Sequence, residues 1–294
     1  MKKAFVLDID GVITGEEIGV NTPHPHPAVM AKLKEISASG IPIVLCTAKP
    51  TFSHKYEIQQ ANLNNPHIVD GGAVIMNGAN EIIAEHNLDS EMACEIAESL
   101  ISSGIYVEAY TTDGYFTQAS QINDFITPRR ELVLRQPTNI VPSLVEFCKT
   151  ARITKLLTDI FVNESENYTQ KFIEPLKGKV NSVLINASTY NDTKVGAITA
   201  LGVSKKQGLI EVAKILDIPL QNMIAVGDSM SDWGFMQVCG YVGAMGNADK
   251  DLKDNVMKRG DKGFICGNVN DNGIIEMLDW YMGLKPMKSE ILIK

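Results

Sequence analysis

The 294-residue chain has no C-x-x-C pair, no long apolar run, no internal repeat and no excess of basic charge. Its five cysteines, Cys46, Cys94, Cys148, Cys239 and Cys266, are odd in number and widely scattered. That excludes a zinc ribbon or a disulfide framework and points to buried thiols in a reducing compartment. No stretch approaches the roughly 20 apolar residues of a membrane span. The apolar run behind Met1-Lys2-Lys3 is cut by Asp8, too early for the core of a signal peptide. A cytoplasmic protein is expected. The net charge of −8 argues against nucleic acid and against anionic membrane, both of which are bound through basic surfaces. A small phosphorylated metabolite stays compatible, because a metal and one or two lysines reverse the field locally. The length suits two domains, or one with a large insertion. Nothing in the sequence speaks to oligomeric state.

What is present is a β-α-β-α-β rhythm over the first eighty residues. Apolar runs at 4–7, 41–46 and 67–75 read as buried strands, and Val29, Leu33 and Ile36 mark one face of a helix between the first two. Such alternation implies a parallel sheet with right-handed crossovers. Near residue 83 the style changes. Ser90 can cap a helix carrying Ala93, Ile96, Ala97, Leu100 and Ile101. Runs at 105–111 and 115–119 flank Thr112-Asp113-Gly114, a hairpin signal. Further strands are expected at 153–157, 182–187 and 195–201, the last two joined by the turn-rich Tyr190-Asn191-Asp192-Thr193. Parallel character returns after Val203, where Ser204 and Gln207 form a capping box and Leu209, Val212, Ala213 and Leu216 give a helical face. The expected fold is α/β, a doubly wound, Rossmann-like parallel-sheet core formed by residues 1–82 and 200–294. An α+β cap is inserted at 83–199.

Two acidic motifs close apolar strands: Asp8-Ile9-Asp10-Gly11 and Gly227-Asp228-Ser229-Met230-Ser231-Asp232. Ligands of open α/β sheets bind beyond the carboxyl ends of the strands, so the fold can gather four carboxylates at one edge. They would repel one another without a cation, and oxygen-only ligands suit a hard ion such as Mg²⁺. Asp8 and Asp10 also form a pair fit for nucleophilic catalysis, one attacking and the other handling a proton. Thr47 ends a strand where its hydroxyl can meet an anionic oxygen. Lys205 and Lys206 stand in the first turn of a helix, where the dipole disfavours cations by about 0.3–1 kcal/mol each. Two lysines there imply an anion close by.

The ordered series of strand and Asp-x-Asp-Gly, strand and Thr, Lys at a helix start, then strand and Gly-Asp-x-x-x-Asp resembles the four signature motifs of the haloacid dehalogenase superfamily. Residues 73–79 and 244–248 resemble segments of its Cof-type (class IIB) phosphatases, which carry a large α+β cap. The resemblance implies that Asp8 is the nucleophile and Asp10 the general acid and base. It implies Mg²⁺ held by Asp8, the Asp10 backbone carbonyl and Asp228, with Asp232 binding it directly or one layer out. Thr47, Lys205 and Ser231 would meet the phosphoryl oxygens. The chain departs from the family in reading Thr47-Ala48-Lys49 for Thr-Gly-Arg, which loses the bidentate guanidinium. It also has Ser231 where Asn is common, Trp233 for an aliphatic residue, and Lys206 for glycine.

The ordered set of Asp8, Asp10, Thr47, Lys205, Asp228 and Asp232 points to a Mg²⁺-dependent phosphatase of small phosphate monoesters, sugar phosphates first, and the resemblance implies that it works through an aspartyl phosphate. The alternatives are a phosphomutase or phosphotransferase on the same scaffold, or a non-catalytic phosphometabolite-binding protein. The cap is expected to close over the leaving group about hinges near 82 and 201. His24-Pro25-His26-Pro27 reads as a stiff loop near the entrance. Tyr106, Tyr110, Tyr115 and Phe116 read as cap-sheet packing, and Arg129-Arg130 as a solvated loop pair.

Overall fold

The computed structural model describes residues 2–122, 124, 126–186 and 193–283, with only the backbone of Arg129, Leu132, Val133, Ile185 and Asn186. The first part of the chain gives strands β1 (Ala4–Leu7), β2 (Ile43–Leu45), β3 (His67–Val69), β4 (Val74–Met76) and β5 (Ile82–Glu85). The middle gives β6 (Val107–Tyr110), β7 (Tyr115–Gln118), β8 (Asn139–Val141), β9 (Lys155–Phe161), β10 (Val180–Asn186) and β11 (Thr193–Ala200). The last part gives β12 (Met223–Gly227), β13 (Tyr241–Ala244) and β14 (Gly263–Ile265).

The fold is α/β: a Rossmann-like core with an α+β cap. Parallel strands run in the order β14-β13-β12-β1-β2, and a single bridge from Cys46 to Ile68 sets β3 alongside β2. Helices cover both faces, which is why the strands read as unbroken apolar runs. Phe5 and Leu7 of β1 pack toward the helices Pro27–Ala38 and Ile274–Met282. Ala4 and Val6 pack toward the helices Lys205–Leu216, Trp233–Met236 and Lys250–Met257. Trp233 is half-buried against this second layer, in keeping with a packing role.

The run at 67–75 is two strands, not one. Asp70, Gly71 and Gly72 have φ of 51°, 67° and 103°, so the chain reverses between β3 and β4. Gly72 has no alternative, since a Cβ there would sit 2.2 Å from the Ser204 carbonyl oxygen. β5 then pairs with β4 from Ile82 to Glu85, across the expected boundary at 82/83, so the chain leaves this small sheet only after Glu85.

The cap sheet has the order β10-β11-β9-β6-β7-β8. Its hairpin turns where expected, with Tyr110 opposite Tyr115. The helix Ser90–Ser102 is capped one residue earlier than read, by the Asp89 carboxylate accepting from the Met92 N–H. The residues expected to form the β10–β11 turn, Tyr190-Asn191-Asp192, lie outside the described residues, as does Ala187. Phe116 packs on Phe147, and Tyr110 stacks on Tyr115. Arg130 corrects one reading. It is not a solvated loop residue but lies in the helix Ile126–Leu134, pairing with buried Glu108 at 3.0 Å and with Asp159. Tyr106 and Tyr110 donate to the same Glu108 carboxylate, at 2.5 and 2.9 Å. An unpaired carboxylate could not remain charged there, so Arg130 is drawn inward. The side chain of Arg129 is outside the described set.

The reversal at Gly72 supports the start of the helix carrying Lys205. Gly72→Ala combines a left-handed backbone with a main-chain clash, and each costs about 1–3 kcal/mol. A melting temperature lower by at least several degrees is the expected result, measured by circular dichroism.

Candidate active site

Strand register assembles the site. Leu7 is level with Val226 of β12 on one side and with Leu45 of β2 on the other. The Asp8 N–H donates to the Val226 carbonyl at 3.1 Å, and the Cys46 N–H to that of Leu7 at 2.8 Å. Asp8, one residue beyond this register, and Asp228 and Thr47, two residues beyond it, therefore emerge at one sheet edge. Carboxylate oxygens of Asp8, Asp228 and Asp232 lie within 4.8 Å of one another. Gly11 makes the approach possible, because at its φ of +73° a Cβ would fall 1.9 Å from Asp228 Oδ2.

Asp232 is fully buried and turns back on its own loop. Its Oδ2 accepts from the Asp228 and Ser229 N–H groups at 3.2 and 3.4 Å. Its Oδ1 meets Lys205 Nζ at 2.7 Å, and the same ammonium lies 3.1 Å from Asp8 Oδ1. The lysine set against its helix dipole thus has two carboxylates as counterions. Ser204 caps that helix by accepting from the Gln207 N–H at 3.1 Å. The box is only half made, since the Gln207 amide turns to Glu211 instead. Lys206 is exposed.

One ammonium does not balance this cluster. Burial, then the charge of Asp232, push the Asp8 carboxyl well above its ordinary range against the pull of Lys205. Burial and then Asp232 likewise lift Asp228 to about 7. Burial pulls Lys205 down, but Asp232 and Asp8 outweigh it and hold the ammonium above its usual value. Crowded, oxygen-only donors carrying uncompensated charge fit a hard divalent cation. Asp8 and Asp228 offer the freer oxygens, because both of those on Asp232 are already engaged.

Asp10 stands apart from the cluster, half exposed, with Oδ1 2.7 Å from Lys49 Nζ. The lysine in the arginine position thus makes a single-point carboxylate contact. Thr47 is buried, and its hydroxyl accepts from the Lys49 N–H at 3.1 Å. Ser231 is not drawn into the cluster: it is exposed, its hydroxyl 2.7 Å from that of Ser229. Asn247 carries structure that the motif reading left unassigned. Its amide donates to the Gly11 carbonyl at 2.9 Å and accepts from the Val269 N–H at 2.9 Å, fixing the turn after Asp10. His26 caps the helix Pro27–Ala38, and His24 stacks on Tyr56, so the His-Pro tract is structural.

A sequence model described as haloacid dehalogenase-like hydrolase matches residues 5–278. A Bacillus subtilis relative named 5-amino-6-(5-phospho-D-ribitylamino)uracil phosphatase YwtE is 24% identical, over 94% of this chain and 97% of its own. The phosphatase YwpJ of the same organism is 24% identical over 85% and 92%. Among solved structures, a haloacid dehalogenase-like hydrolase from Bacteroides thetaiotaomicron superposes with a TM-score of 0.79 at 18% identity, covering 95% of this chain and 99% of that one. The subclass IIB sugar phosphatase BT4131 gives 0.74 at 20% identity, covering 97% and 100%.

The raised Asp228 carboxyl has a thermodynamic consequence. Between its ordinary value and about 7 the folded chain holds a proton that the unfolded chain has lost, so metal-free stability falls as pH rises through that window. In a chelator at pH 8, Asp228→Asn should therefore melt at or above the parent. Added Mg²⁺ should raise the parent's melting temperature and leave the variant's unchanged. An equal Mg²⁺ response in both would remove Asp228 from the cation site.

Proposed function

Since the chain belongs to the haloacid dehalogenase-like hydrolases, we propose that it is a Mg²⁺-dependent phosphatase of small phosphate monoesters, with sugar and polyol phosphates as the substrate class. The observation that carries this reading is the gathering of Asp8, Asp228 and Asp232 within 4.8 Å of one another, two of them paired with Lys205, with Asp10 poised separately beside them.

Asp8, Asp228 and the Asp10 backbone carbonyl would hold the ion, with Asp232 orienting the loop behind it. When bound, Mg²⁺ neutralises charge on the phosphoryl oxygens and on the crowded carboxylates. An Asp8 oxygen attacks phosphorus, and the bond from phosphorus to the ester oxygen breaks. Asp10 gives its proton to the departing alcohol, leaving an aspartyl phosphate. Asp10 then takes a proton from water, the water oxygen attacks phosphorus, and the Asp8 carboxylate returns as inorganic phosphate leaves. Lys205 and the Thr47 hydroxyl stabilise the equatorial oxygens, where most of the catalysis of phosphoryl transfer resides. Lys49 keeps the Asp10 carboxylate turned toward the leaving group. The reading takes residues 83–199 as the specificity cap and the cytoplasm as the compartment. No helix among the described residues is long and apolar enough to cross a membrane.

Release of inorganic phosphate from p-nitrophenyl phosphate with Mg²⁺ present should fall by at least about 10³-fold in Asp8→Asn, as expected for loss of a covalent nucleophile. Turnover retained in a pure sample of that variant would refute the assignment. A panel of primary alkyl phosphates, the phosphoribitylamino-uracil acted on by the named relative among them, should release free phosphate. Transfer to a second sugar hydroxyl would indicate the mutase alternative instead.

A further inference from the structure

The cap reaches into the phosphoryl-binding loop through one buried lysine. Lys155, the first residue of β9, is 4% exposed. Its Nζ lies 2.8 Å from Asp70 Oδ1, 3.1 Å from the Ala48 carbonyl oxygen and 4.4 Å from the centre of the Tyr110 ring. The preceding residue, Thr154, donates to the other oxygen of Asp70 at 3.1 Å. Two consecutive cap residues thus occupy both oxygens of a fully buried core carboxylate.

Asp70 is in turn sewn to the loop that carries Thr47 and Lys49. Its N–H donates to the Lys49 carbonyl at 2.8 Å, and the Gly71 N–H to that of Thr47 at 3.0 Å. Ala48, held by Lys155, stands between those two residues. The cap grips the same loop again at Thr51, whose hydroxyl donates to the Thr112 carbonyl at 2.5 Å. Asp70 alone would balance the charge of Lys155, so the bond to Ala48 is an additional restraint on the loop.

Resting on the phosphatase reading above, we propose that Lys155 is a positioning residue. Docked on Asp70, it holds the Ala48 peptide so that the Thr47 hydroxyl and the Lys49 ammonium are aligned on the phosphoryl group and on Asp10. Seating of the cap and competence of the catalytic loop are then one event. A substrate that props the cap away from this contact loses rate even when its phosphoryl group still reaches Asp8.

The test compares the parent with Lys155→Met and with the double variant Asp70→Asn/Lys155→Gln. The double variant leaves no buried charge unpaired, but its shorter amide cannot span both partners. Kinetics with p-nitrophenyl phosphate, inhibition by inorganic phosphate and melting temperature are recorded for each. Misplacement on the ångström scale costs up to about a hundredfold, so a fall in kcat/KM of about tenfold or more is expected in both variants. A matching rise in the phosphate inhibition constant should accompany it, with the double variant melting near the parent. Should Lys155→Met fail to fold, the double variant decides alone. Parental kcat and phosphate inhibition in a folded variant would overturn the positioning role while the phosphatase reading stood. No turnover by the parent itself would sink that reading, and this inference with it.

Discussion

Three carboxylates held within 4.8 Å of one another, with a single ammonium paired to two of them, set the terms for the rest of the structure. Two unit charges 4 Å apart interact by about 4 kcal/mol at an effective dielectric of 20, so the carboxylates, when ionised together, repel one another on that scale. The sheet imposes this arrangement because parallel register fixes where Asp8, Thr47 and Asp228 emerge. The chain answers with devices on every side. Lys205 is shared between Asp8 and Asp232. Two backbone N–H groups are turned onto Asp232, and Gly11 allows Asp228 to come close. A phosphate ester brings further negative charge to the same place. On the proposed reading a cation beyond Lys205 offsets that charge, and an oxygen-only donor set suits a hard divalent ion.

The same electrostatics separates the roles of residues that look equivalent in the sequence. Asp8 and Asp228 keep oxygens available and have raised carboxyls, with burial the largest cause in both. Asp232 is the same residue type, but its oxygens are taken up by Lys205 and by its own loop, so it organises that loop. Asp10 lies two residues from Asp8 yet pairs with a different lysine and stays half exposed. That position, at the rim of the charged cluster, suits the proton-transfer role proposed for it.

The sheet edge was legible in the sequence because its signals are local: an apolar run buried on both faces, then an acid, and Ser204 before a helical face. Local rules also misled where a neighbour in space took over. The run at 67–75 reads as continuous, but three positive φ angles in a row, with Gly72 packed closely against Ser204, divide it. Ser90 seemed the obvious cap until Asp89, one residue earlier, proved better placed. Arg130 reads as solvated because its partners, Glu108 and Asp159, come from two cap strands distant from it in sequence. The contact between Lys49 and Asp10 was unreadable for the same reason, as it spans two strands of the core. The sequence does hold a signal for Lys155. A lysine between Thr154 and Leu156, inside a run read as a buried strand, cannot stay buried without a carboxylate, and that implies a partner elsewhere in the fold.

The two buried ion pairs associated with the cap answer different needs. A buried salt bridge is seldom a net source of stability, because desolvation offsets most of the Coulombic gain. Its physical value lies in allowing few alternative arrangements. Around Glu108 the pairing with Arg130 and the two tyrosine hydroxyls joins cap elements to one another, fixing the face of the cap sheet that carries Tyr110 and Leu157. The Lys155–Asp70 pair crosses from cap to core at the strand end where Tyr110 stands level with Lys155. An apolar contact there would tolerate sliding of the cap by a fraction of an ångström. A lysine satisfied by a carboxylate and a backbone carbonyl together does not. If, as proposed, the chemistry depends on oxygen positions at one strand edge, that intolerance is a contribution of the cap distinct from substrate recognition.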